Sequence, residues 1–424
     1  MTRPPSPTPI SAPGKAGRLR TIIRVRVGGL PGSFWVLWTG SLVNRLGAMV
    51  NPFLSLYLTQ ARSVPLHTVG LILAVVGVGS VLSQPLGGFL TDRFGRRAAL
   101  TGGMLANAAS LLALGSAHTL PALTAAGFAL GVTIDLFRPA AQALVADAVP
   151  AADRTRAFGL LLWSVNLGFS AAMILGGHLA TRGFHLLFWA DAAACAVFGL
   201  LVWFAVPETR PQAAGRGSGS YRTVLADRAM AAFAGVVVLY AVVFQQAFAT
   251  LPIAMARDGL PGDVYGLVMA VNGVVVIVVQ PLIGHRLDAY DKSRILATGF
   301  LLAATGSALV AAASAGPAYG AAVAVWSLGE VLVFAVTAAI VADIAPPTLR
   351  GRYNGLLGMA WGTGFLIAPL LGTRLLGIGS TVLWLSCTAL CCLAALAQLA
   401  LGPTIRARGA LDAEGPGLRR ADAA

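Results

Sequence analysis

The sequence predicts an all-α integral membrane protein in which twelve transmembrane helices form two six-helix bundles. Three observations lead to this fold class: a composition too apolar for water, a series of apolar segments of membrane-spanning length, and an internal repeat. Of the 424 residues, 57% are hydrophobic and only 11% are charged, and the mean hydropathy is +0.78. Soluble domains carry about a quarter charged residues, so lipid must solvate most of this chain.

Twelve segments contain the roughly 20 mostly apolar residues that a bilayer-crossing helix needs. We number them as spans 1–12, at 34–58, 68–90, 98–117, 121–147, 156–180, 185–206, 231–255, 264–286, 294–314, 317–343, 352–374 and 380–402. The connections are short except for a polar stretch rich in Gly, Ser and Arg between spans 6 and 7. The predicted organisation is therefore a basic leader (1–33), a first bundle (34–206), a linker (207–229), a second bundle (230–402) and a tail (403–424).

The residues that give the net charge of +14 are distributed according to the orientation of the chain in the membrane. Lys and Arg concentrate in the leader, the linker, the tail and every second loop, whereas the loops on the other side hold only Arg62, Arg182, Arg257 and Arg374. The positive-inside rule then places both termini in the cytoplasm, for a multi-pass protein of the cell inner (plasma) membrane. Since orientation accounts for the basic excess, no nucleic-acid partner is predicted. The expected partners are the lipid bilayer, a small-molecule substrate and protons, and we expect a monomer.

The two bundles are related in sequence. The pattern Q-P-L-x-G-x-x-x-D at 84–92 recurs at 280–288, and D-x-x-P-x-x-x-R-x-R-x-x-G-L-L at 147–161 recurs at 343–357. An apolar composition alone does not account for this repeat, because it includes charged residues. Duplicated six-helix halves with a substrate site between them near the bilayer midplane are a transporter architecture.

Other chemistries find no support in the sequence. The four cysteines lie inside apolar runs, without the loop spacing of a disulfide framework or a zinc site, and we expect no metal and no cofactor. The chain has no Walker A sequence for ATP binding. It also lacks a G-x-S-x-G serine motif and an H-E-x-x-H motif, so it is not predicted to be an enzyme.

The loop after span 2 carries a family resemblance. Residues 88–97, G-F-L-T-D-R-F-G-R-R, closely resemble the signature loop of the major facilitator superfamily, G-x-L-x-D-R-x-G-R-[K/R]. The resemblance extends over about 30–402. The drug–proton antiporter branch is the most similar, because of N-R-x-G at 44–47, P-F at 52–53 and G-E at 329–330. This resemblance implies the fold of that superfamily and secondary transport by alternating access.

The resemblance also implies a gate at the cytoplasmic ends of the spans. Asp92 would meet the N-terminus of span 11, whose free N–H groups attract an anion, and Arg96 would bridge Asp92 to Asp147. This cluster should favour the state closed to the cytoplasm. Alternatively, the cations only set the orientation of the chain in the membrane, which explains the positions of Arg97 and Lys292 equally well. The gate and signature loop together comprise Gly88, Asp92, Arg93, Gly95, Arg96, Arg97, Asp147, Arg154, Asp288, Asp343 and Arg350.

Four ionisable residues lie deep in the spans, where a charge costs about 2.5–3.5 kcal/mol. They are Arg45 in span 1, Asp135 and Arg138 in span 4, and Glu330 in span 10. In the superfamily, spans 1, 4, 7 and 10 line a central cavity, so the resemblance implies that these charges face it. The predicted cavity residues are Asn44, Arg45, Arg138, Gln142, Gln245, Gln246 and Trp326, the last of them placed to stack on a planar substrate.

Glu330 is the first candidate for a proton-coupling acid, and Asp135 is the second. A carboxyl group that passes between dry and wet surroundings as the protein opens can load and release a proton. Asp135 stands three residues from Arg138 on one helix face, so these two side chains alternatively pair with each other. Arg45 and Arg138 would modulate the acid or bind an anionic group of the substrate.

The predicted function is proton-coupled efflux of amphipathic drugs or similar small molecules. An uptake symporter or a sugar or metabolite exporter is the main alternative, and an intramembrane enzyme or a sensor is a distant one. Span 5 departs from the family's antiporter pattern, because Ala172-Met173 stand where Gly-Pro is typical, so symport and uniport also stay open. Asp191, near the outer end of span 6, and Trp361, as an interface anchor, are assigned structural roles.

Overall fold

The computed structural model describes residues 29–150, 153–208, 224, 226–287, 290–346 and 349–413. Within these ranges every regular element is a helix, and eleven helices are long and apolar enough to cross a bilayer. The all-α membrane fold is thereby confirmed. Spans 2–12 consist of Leu66–Phe94, Arg96–Ser116, Leu120–Ile134 with Arg138–Ala148, Arg154–Arg182, His185–Ala205, Arg228–Ala249 with Leu251–Arg257, Gly262–Leu287, Lys292–Ala312, Gly316–Ile344, Arg350–Ile378 and Ser380–Ala413.

Span 1 is interrupted, contrary to the prediction of one continuous helix. It consists of Gly32–Gly47 and the short helix Val50–Leu56, which continues into a π-helical turn at Tyr57–Ala61. Pro52 contributes to the interruption, because a proline has no N–H to donate to the carbonyl four residues earlier. Because of this break, span 1 is not among the eleven long helices, and the count of twelve stays a prediction.

Spans 4 and 7 are broken in the same way, which the sequence analysis did not predict. Their second pieces begin at Arg138 and Leu251, and each carries a proline in its first turn, Pro139 and Pro252. Span 12 differs from its prediction in length, since its helix continues beyond residue 402 to Ala413.

The two bundles are built on one plan. In the first bundle, span 1 packs on spans 5 and 6, span 2 on span 4, and span 3 on spans 4 and 6. In the second, span 7 packs on spans 11 and 12, span 8 on span 10, and span 9 on spans 10 and 12. Each pairing therefore recurs six spans later, as the repeat in the sequence requires.

The bundles meet where span 2 packs on span 11 and span 5 on span 8. Glycines allow the backbones to approach closely there, as is common between membrane helices. A methyl group placed on Gly177 would lie 2.8 Å from the Asp263 Cα, and one on Gly70 would lie 2.9 Å from the Pro369 carbonyl oxygen. These contacts leave no room for a side chain larger than hydrogen.

The halves separate toward the end of the molecule at which span 1 begins and span 12 ends. A methyl group placed on Gly88, Gly159 or Gly358 would meet no described atom within 4 Å. The opposite end is closed by the short helix Val50–Leu56, and we call its contacts with spans 7 and 8 the outer seal. With the orientation predicted from the loop charges, the molecule is open to the cytoplasm.

Asp227 ties the start of span 7 to spans 11 and 12. Its carboxylate accepts hydrogen bonds from the Ala229 N–H at 3.0 Å, the Tyr353 hydroxyl at 2.7 Å and the Arg408 guanidinium at 2.6 Å. Burial acts to raise the pKa of Asp227, but the hydrogen bonds from Arg408, Tyr353 and the backbone outweigh it and hold the pKa below its usual value. Such a carboxyl stabilises the fold above the pKa of an unfolded Asp and loses that effect as the pH falls.

We expect Asp227→Asn to lower the free energy of unfolding by about 1 kcal/mol at neutral pH, because a charge-assisted hydrogen bond becomes a neutral one. The deficit should shrink as the pH falls below about 4, the pKa of an unfolded Asp, since wild-type Asp227 then also becomes protonated. Thermal unfolding of the two proteins in detergent across pH measures this difference. Asp92→Asn, at an exposed carboxylate, is the matched control. A deficit independent of pH would contradict the electrostatic explanation.

Candidate functional site

The deep charges of the first bundle gather at the breaks of spans 1 and 4. The Arg138 guanidinium lies 2.7 Å from the Asp135 carboxylate, so these two side chains form the ion pair that was the alternative to a free Asp135. The Asp135 N–H also donates to the Ser83 hydroxyl at 3.2 Å. Arg45 lies within electrostatic range of both residues, and its Cβ packs where Gly168 of span 5 leaves space.

The predicted polar residues of the cavity divide into two groups. Gln142 is exposed and Gln245 is partly exposed, as expected for residues near an opening. Asn44 is instead buried and donates to the Cys195 sulfur at 3.3 Å, and Gln246 is buried and donates to the Ala368 carbonyl oxygen of span 11 at 2.9 Å. Two of the predicted cavity residues therefore join helices in this conformation.

Glu330 is held by span 8. The Asn272 side-chain amide donates to Oε2 of Glu330 at 2.6 Å and lies 2.8 Å from the Ser327 hydroxyl. The Trp326 indole also lies beside the Glu330 carboxylate. Trp326 itself is only 5% exposed and packs against Gly306 of span 9, so its faces are covered by protein.

Six aromatic residues pack together one helical turn from Glu330, and we call them the aromatic cluster. Phe334 of span 10 stacks on Trp361 of span 11, with ring centroids 5.3 Å apart and planes 9° apart. Phe244 of span 7 contacts both of these rings edge-on. Phe334 keeps 48% of its surface exposed, so the cluster is open on one side. Its members are Tyr240, Phe244, Phe248, Phe334, Trp361 and Phe365.

The aromatic cluster faces the other bundle. Phe248 contacts Phe169 of span 5 edge-on at 6.2 Å, across the interface between the halves. Tyr240 lies behind Trp361, at 5.9 Å, and within electrostatic range of Glu330. Its hydroxyl is buried and has no hydrogen-bond partner among the described residues. A carboxylate, an unpartnered hydroxyl and open aromatic faces thus lie together in the second bundle.

Sequence reasoning missed most of this cluster, although two signals were present. Tyr240, Phe244 and Phe248 stand four residues apart, which places aromatic rings along one face of span 7. Asn272 is a single amide in the apolar span 8, and such residues usually have a polar partner. Trp361 could not be assigned from its own segment, because its stacking partner lies on span 10.

At the cytoplasmic ends, the two bundles carry equivalent ion pairs. Arg96 pairs with Asp147 in the first bundle, and Lys292 lies 2.7 Å from Asp343 at the corresponding positions of the second. Each pair joins the start of span 3 or 9 to the end of span 4 or 10. Lys292 therefore has a specific partner, as Arg96 does.

The turn between spans 2 and 3 is built on Gly95. Its φ of +90° is a conformation that favours glycine. Gly95 has no side chain to cap the start of span 3. Glu208, after span 6, caps it instead, since its carboxylate accepts a hydrogen bond from the Arg97 N–H at 3.0 Å. The Arg97 guanidinium lies over the Trp203 ring at 4.7 Å, and Arg93 lies over Phe94 at 5.7 Å.

The remaining gate residues fit a cytoplasmic end that is open. Asp92 is exposed at the end of span 2, and Gly88 has open space beside it. Arg154 begins span 5 and donates to the Val149 carbonyl oxygen at 3.3 Å. Arg350 begins the helix of span 11, but its side chain is outside the described part, as is Asp288 altogether. The predicted contact between Asp92 and span 11 therefore stays a prediction for the closed state.

No three His, Cys, Asp or Glu side chains in the described part of the chain are placed to hold a metal ion. The residues brought together here are suited to binding an organic molecule and a proton.

Comparison with known proteins identifies the fold and the family. The family model described as Major Facilitator Superfamily matches residues 37–254 and 233–420. The multidrug resistance protein MdtH of Aeromonas salmonicida is 28% identical over 344 residues, which cover 78% of this chain and 85% of that protein. A Na(+), Li(+), K(+)/H(+) antiporter of Planococcus maritimus is 24% identical over 358 residues, covering 76% and 84%.

A solved structure shows the same fold. The crystal structure of a POT family transporter in complex with 5-aminolevulinic acid matches with a TM-score of 0.78 at 15% sequence identity, covering 89% of this chain and 98% of that chain. At this identity the likeness concerns the fold alone.

Proposed function

Because this chain belongs to the major facilitator superfamily, a family of membrane transporters, we propose that it is a proton-coupled antiporter that exports amphipathic small molecules. Its relatives are secondary transporters of small molecules and not enzymes. The observation that carries the proposal is the position of Glu330, one turn from an open aromatic cluster that contacts the other bundle.

Glu330 is suited to couple proton movement to substrate movement. Its carboxylate is bonded to the neutral amide of Asn272, and no Lys or Arg of the described residues forms an ion pair with it. Asp135 is already paired with Arg138, which favours Glu330 over Asp135 as the coupling acid. A carboxyl that is dry in one state and wet in the other binds a proton more tightly in the dry state, so its proton occupancy changes with conformation.

The aromatic cluster is suited to bind a planar, amphipathic molecule. Rings that are open on one face stack on flat apolar groups, and a carboxylate beside them attracts a cationic or hydrogen-bonding group. The name of one relative, a multidrug resistance protein, agrees with this substrate class, and the name of the other, a Na(+), Li(+), K(+)/H(+) antiporter, agrees with exchange against protons.

The runner-up is an uptake symporter or a metabolite exporter that uses the same cavity. The direction of proton flow distinguishes these alternatives. Purified protein would be placed in liposomes that contain a pH-sensitive dye, and amphipathic amines would be added as candidate substrates. Export by antiport moves protons opposite to the substrate, whereas symport moves both in one direction. Proton flow in the direction of the substrate would overturn the proposal.

Trp361→Ala should weaken substrate binding about tenfold. Loss of a stacked ring costs about 0.5–1.5 kcal/mol beyond its buried area, and 1.4 kcal/mol corresponds to a factor of ten. Trp189→Ala, which removes an exposed ring of span 6, is the matched control and should bind like wild type. Binding to the detergent-solubilised proteins measures both affinities. Equal affinities for the two variants would exclude the aromatic cluster as the binding site.

A further inference from the structure

We propose that Asp191 is a proton-binding residue whose charge controls the outer seal. This inference goes beyond the proposed function, and it rests on that function only in assuming that the two halves alternate between conformations. The sequence predicted Asp191 to be a structural residue near the outer end of span 6. The structure instead buries it at the break of span 1, with 6% of its surface exposed.

Asp191 holds the start of the short helix of span 1. Its Oδ2 accepts the Val50 N–H at 3.2 Å, and its Oδ1 accepts the Cys195 thiol at 3.7 Å. Both contacts use the side chain as an acceptor, which suits the ionised carboxylate. The Val50 N–H is free to donate because the break leaves it without a helical partner. The carboxylate therefore replaces backbone hydrogen bonding at this point of span 1.

The helix that Asp191 holds is the part of the first bundle that forms the outer seal. The Ser55 hydroxyl donates to the Phe248 carbonyl oxygen of span 7 at 3.1 Å. The Tyr265 hydroxyl of span 8 lies 3.3 Å from the Pro52 carbonyl oxygen, and its ring contacts Phe53 edge-on at 5.2 Å. A change at the start of this seven-residue helix is thus only one to two turns from the contacts between the halves.

Few charged or titratable groups face Asp191. Arg45, on the first piece of span 1, is the cation within electrostatic range of it, and Cys195 is the titratable group on its own helix. Span 4 contributes Asp135 and Arg138, which interact with Arg45 and neutralise each other. Span 3 contributes only neutral groups, Asn107 and Met104, which contact the same cluster.

A chain of polar contacts links Asp191 to the break of span 4. Cys195 accepts hydrogen bonds from the amides of Asn44 and Asn107, each at 3.3 Å, and the Thr133 hydroxyl lies 3.2 Å from the Asn107 carbonyl oxygen. Thr133 stands two residues before Asp135. The two broken spans of the first bundle are therefore joined through one buried polar network that has Asp191 at its outer end.

When a proton from water binds Oδ2, the carboxylate becomes a neutral acid and a weaker acceptor for the Val50 N–H. The start of the short helix is then held less firmly, and the outer seal opens more readily. Low pH should accordingly favour the conformation that is open to the outside. Glu330, the proposed coupling acid, also titrates with conformation, so the response of Asp191 is measured in proteins that carry Glu330→Gln.

The test is a distance measurement on the purified full-length protein without substrate. Spin labels at Ser116→Cys, at the outer end of span 3, and at Ser314→Cys, in the loop after span 9, report the separation of the outer ends of the two halves, and both positions are exposed. Cys392, the partly exposed native thiol, would be replaced by Ala, and Cys195, Cys387 and Cys391 are buried. Pulsed electron paramagnetic resonance in lipid nanodiscs would be recorded from pH 5 to pH 9.

For the wild type we expect the ratio of outer-open to outer-closed molecules to rise as the pH falls, by up to about tenfold per pH unit for one proton. Glu330→Gln should remove the part of this response that the coupling acid contributes and keep the part that Asp191 carries. Adding Asp191→Asn to Glu330→Gln should make the ratio independent of pH. Ser55→Ala, which weakens the seal without removing an acid, should raise the ratio at every pH and preserve its pH dependence.

A second variant covers the case in which Asp191→Asn does not fold. Val50→Pro removes the N–H that donates to Asp191 and replaces the buried Val50 side chain, at a first helical position where proline is tolerated. Combined with Glu330→Gln, it should also abolish the pH response. A pH response that is unchanged when Asp191→Asn or Val50→Pro is added to Glu330→Gln would overturn the proposal. If instead Glu330→Gln alone lost the response, the coupling acid would be the sensor and Asp191 would not.

Discussion

Replacement of Glu330 by Gln is expected to abolish transport driven by a pH gradient while substrate exchange across the membrane remains measurable. Gln keeps the shape of the side chain and can still bond to Asn272, but it cannot bind and release a proton. The substrate site should therefore still form and still alternate between the two sides. Only the use of the gradient should be lost, so that uphill transport falls to the level of protein-free liposomes.

Asp135→Asn is the matched control for this experiment. It removes a carboxylate of the first bundle that is already bound to Arg138, so gradient-driven transport should persist at a reduced rate. Both variants would be assayed in the same liposomes, for uphill uptake of substrate and for exchange of labelled against unlabelled substrate. Persistence of uphill transport in Glu330→Gln, together with its loss in Asp135→Asn, would transfer the coupling role to Asp135.

Gly266→Leu should have the second large effect. Gly266 of span 8 packs so closely on span 5 that even a methyl group would overlap the Met173 carbonyl oxygen. A leucine there should prevent the close contact of spans 5 and 8 that closes the outer side. Each bundle should still fold, because Gly266 serves the contact between the bundles. We expect transport to fall at least about tenfold, since a shift of about 1.4 kcal/mol between states already changes their ratio by that factor.

Gly235→Leu is the control, because this glycine of span 7 is exposed and a methyl group placed on it would meet no described atom within 4 Å. It adds the same side chain to the same kind of helix. The two variants should show similar amounts of folded protein by size-exclusion chromatography but different transport rates. If Gly266→Leu transported as well as Gly235→Leu, the close contact of spans 5 and 8 would not be required in the cycle.

Much of the fold could be predicted from the sequence, because apolar segments of fixed length and a repeat that includes charged residues are local signals. The breaks of spans 1, 4 and 7 were missed, although Pro52, Pro139 and Pro252 stand beside them. A proline inside a membrane helix is often tolerated by neighbouring groups, so its effect depends on packing that a single segment does not reveal.

The candidate site was predictable only in part. The deep charges could be located, because a charge in an apolar segment is conspicuous, but their partners lie on other helices. Asn272 binds Glu330 from span 8, and Asp191 binds the backbone of span 1. Such pairs depend on how each helix is rotated about its axis. For the same reason, the rings of Trp361 and Phe334 could be recognised as a pair only in three dimensions.

The length of the last helix has a practical consequence for anyone handling this protein. Arg406 lies 2.8 Å from Asp291, and Arg408 binds Asp227, so the end of that helix fastens the starts of two others. A truncation chosen from hydropathy, just after residue 402, would remove both arginines. Affinity tags or fluorescent fusions are therefore better attached after Ala413, where the described helix ends.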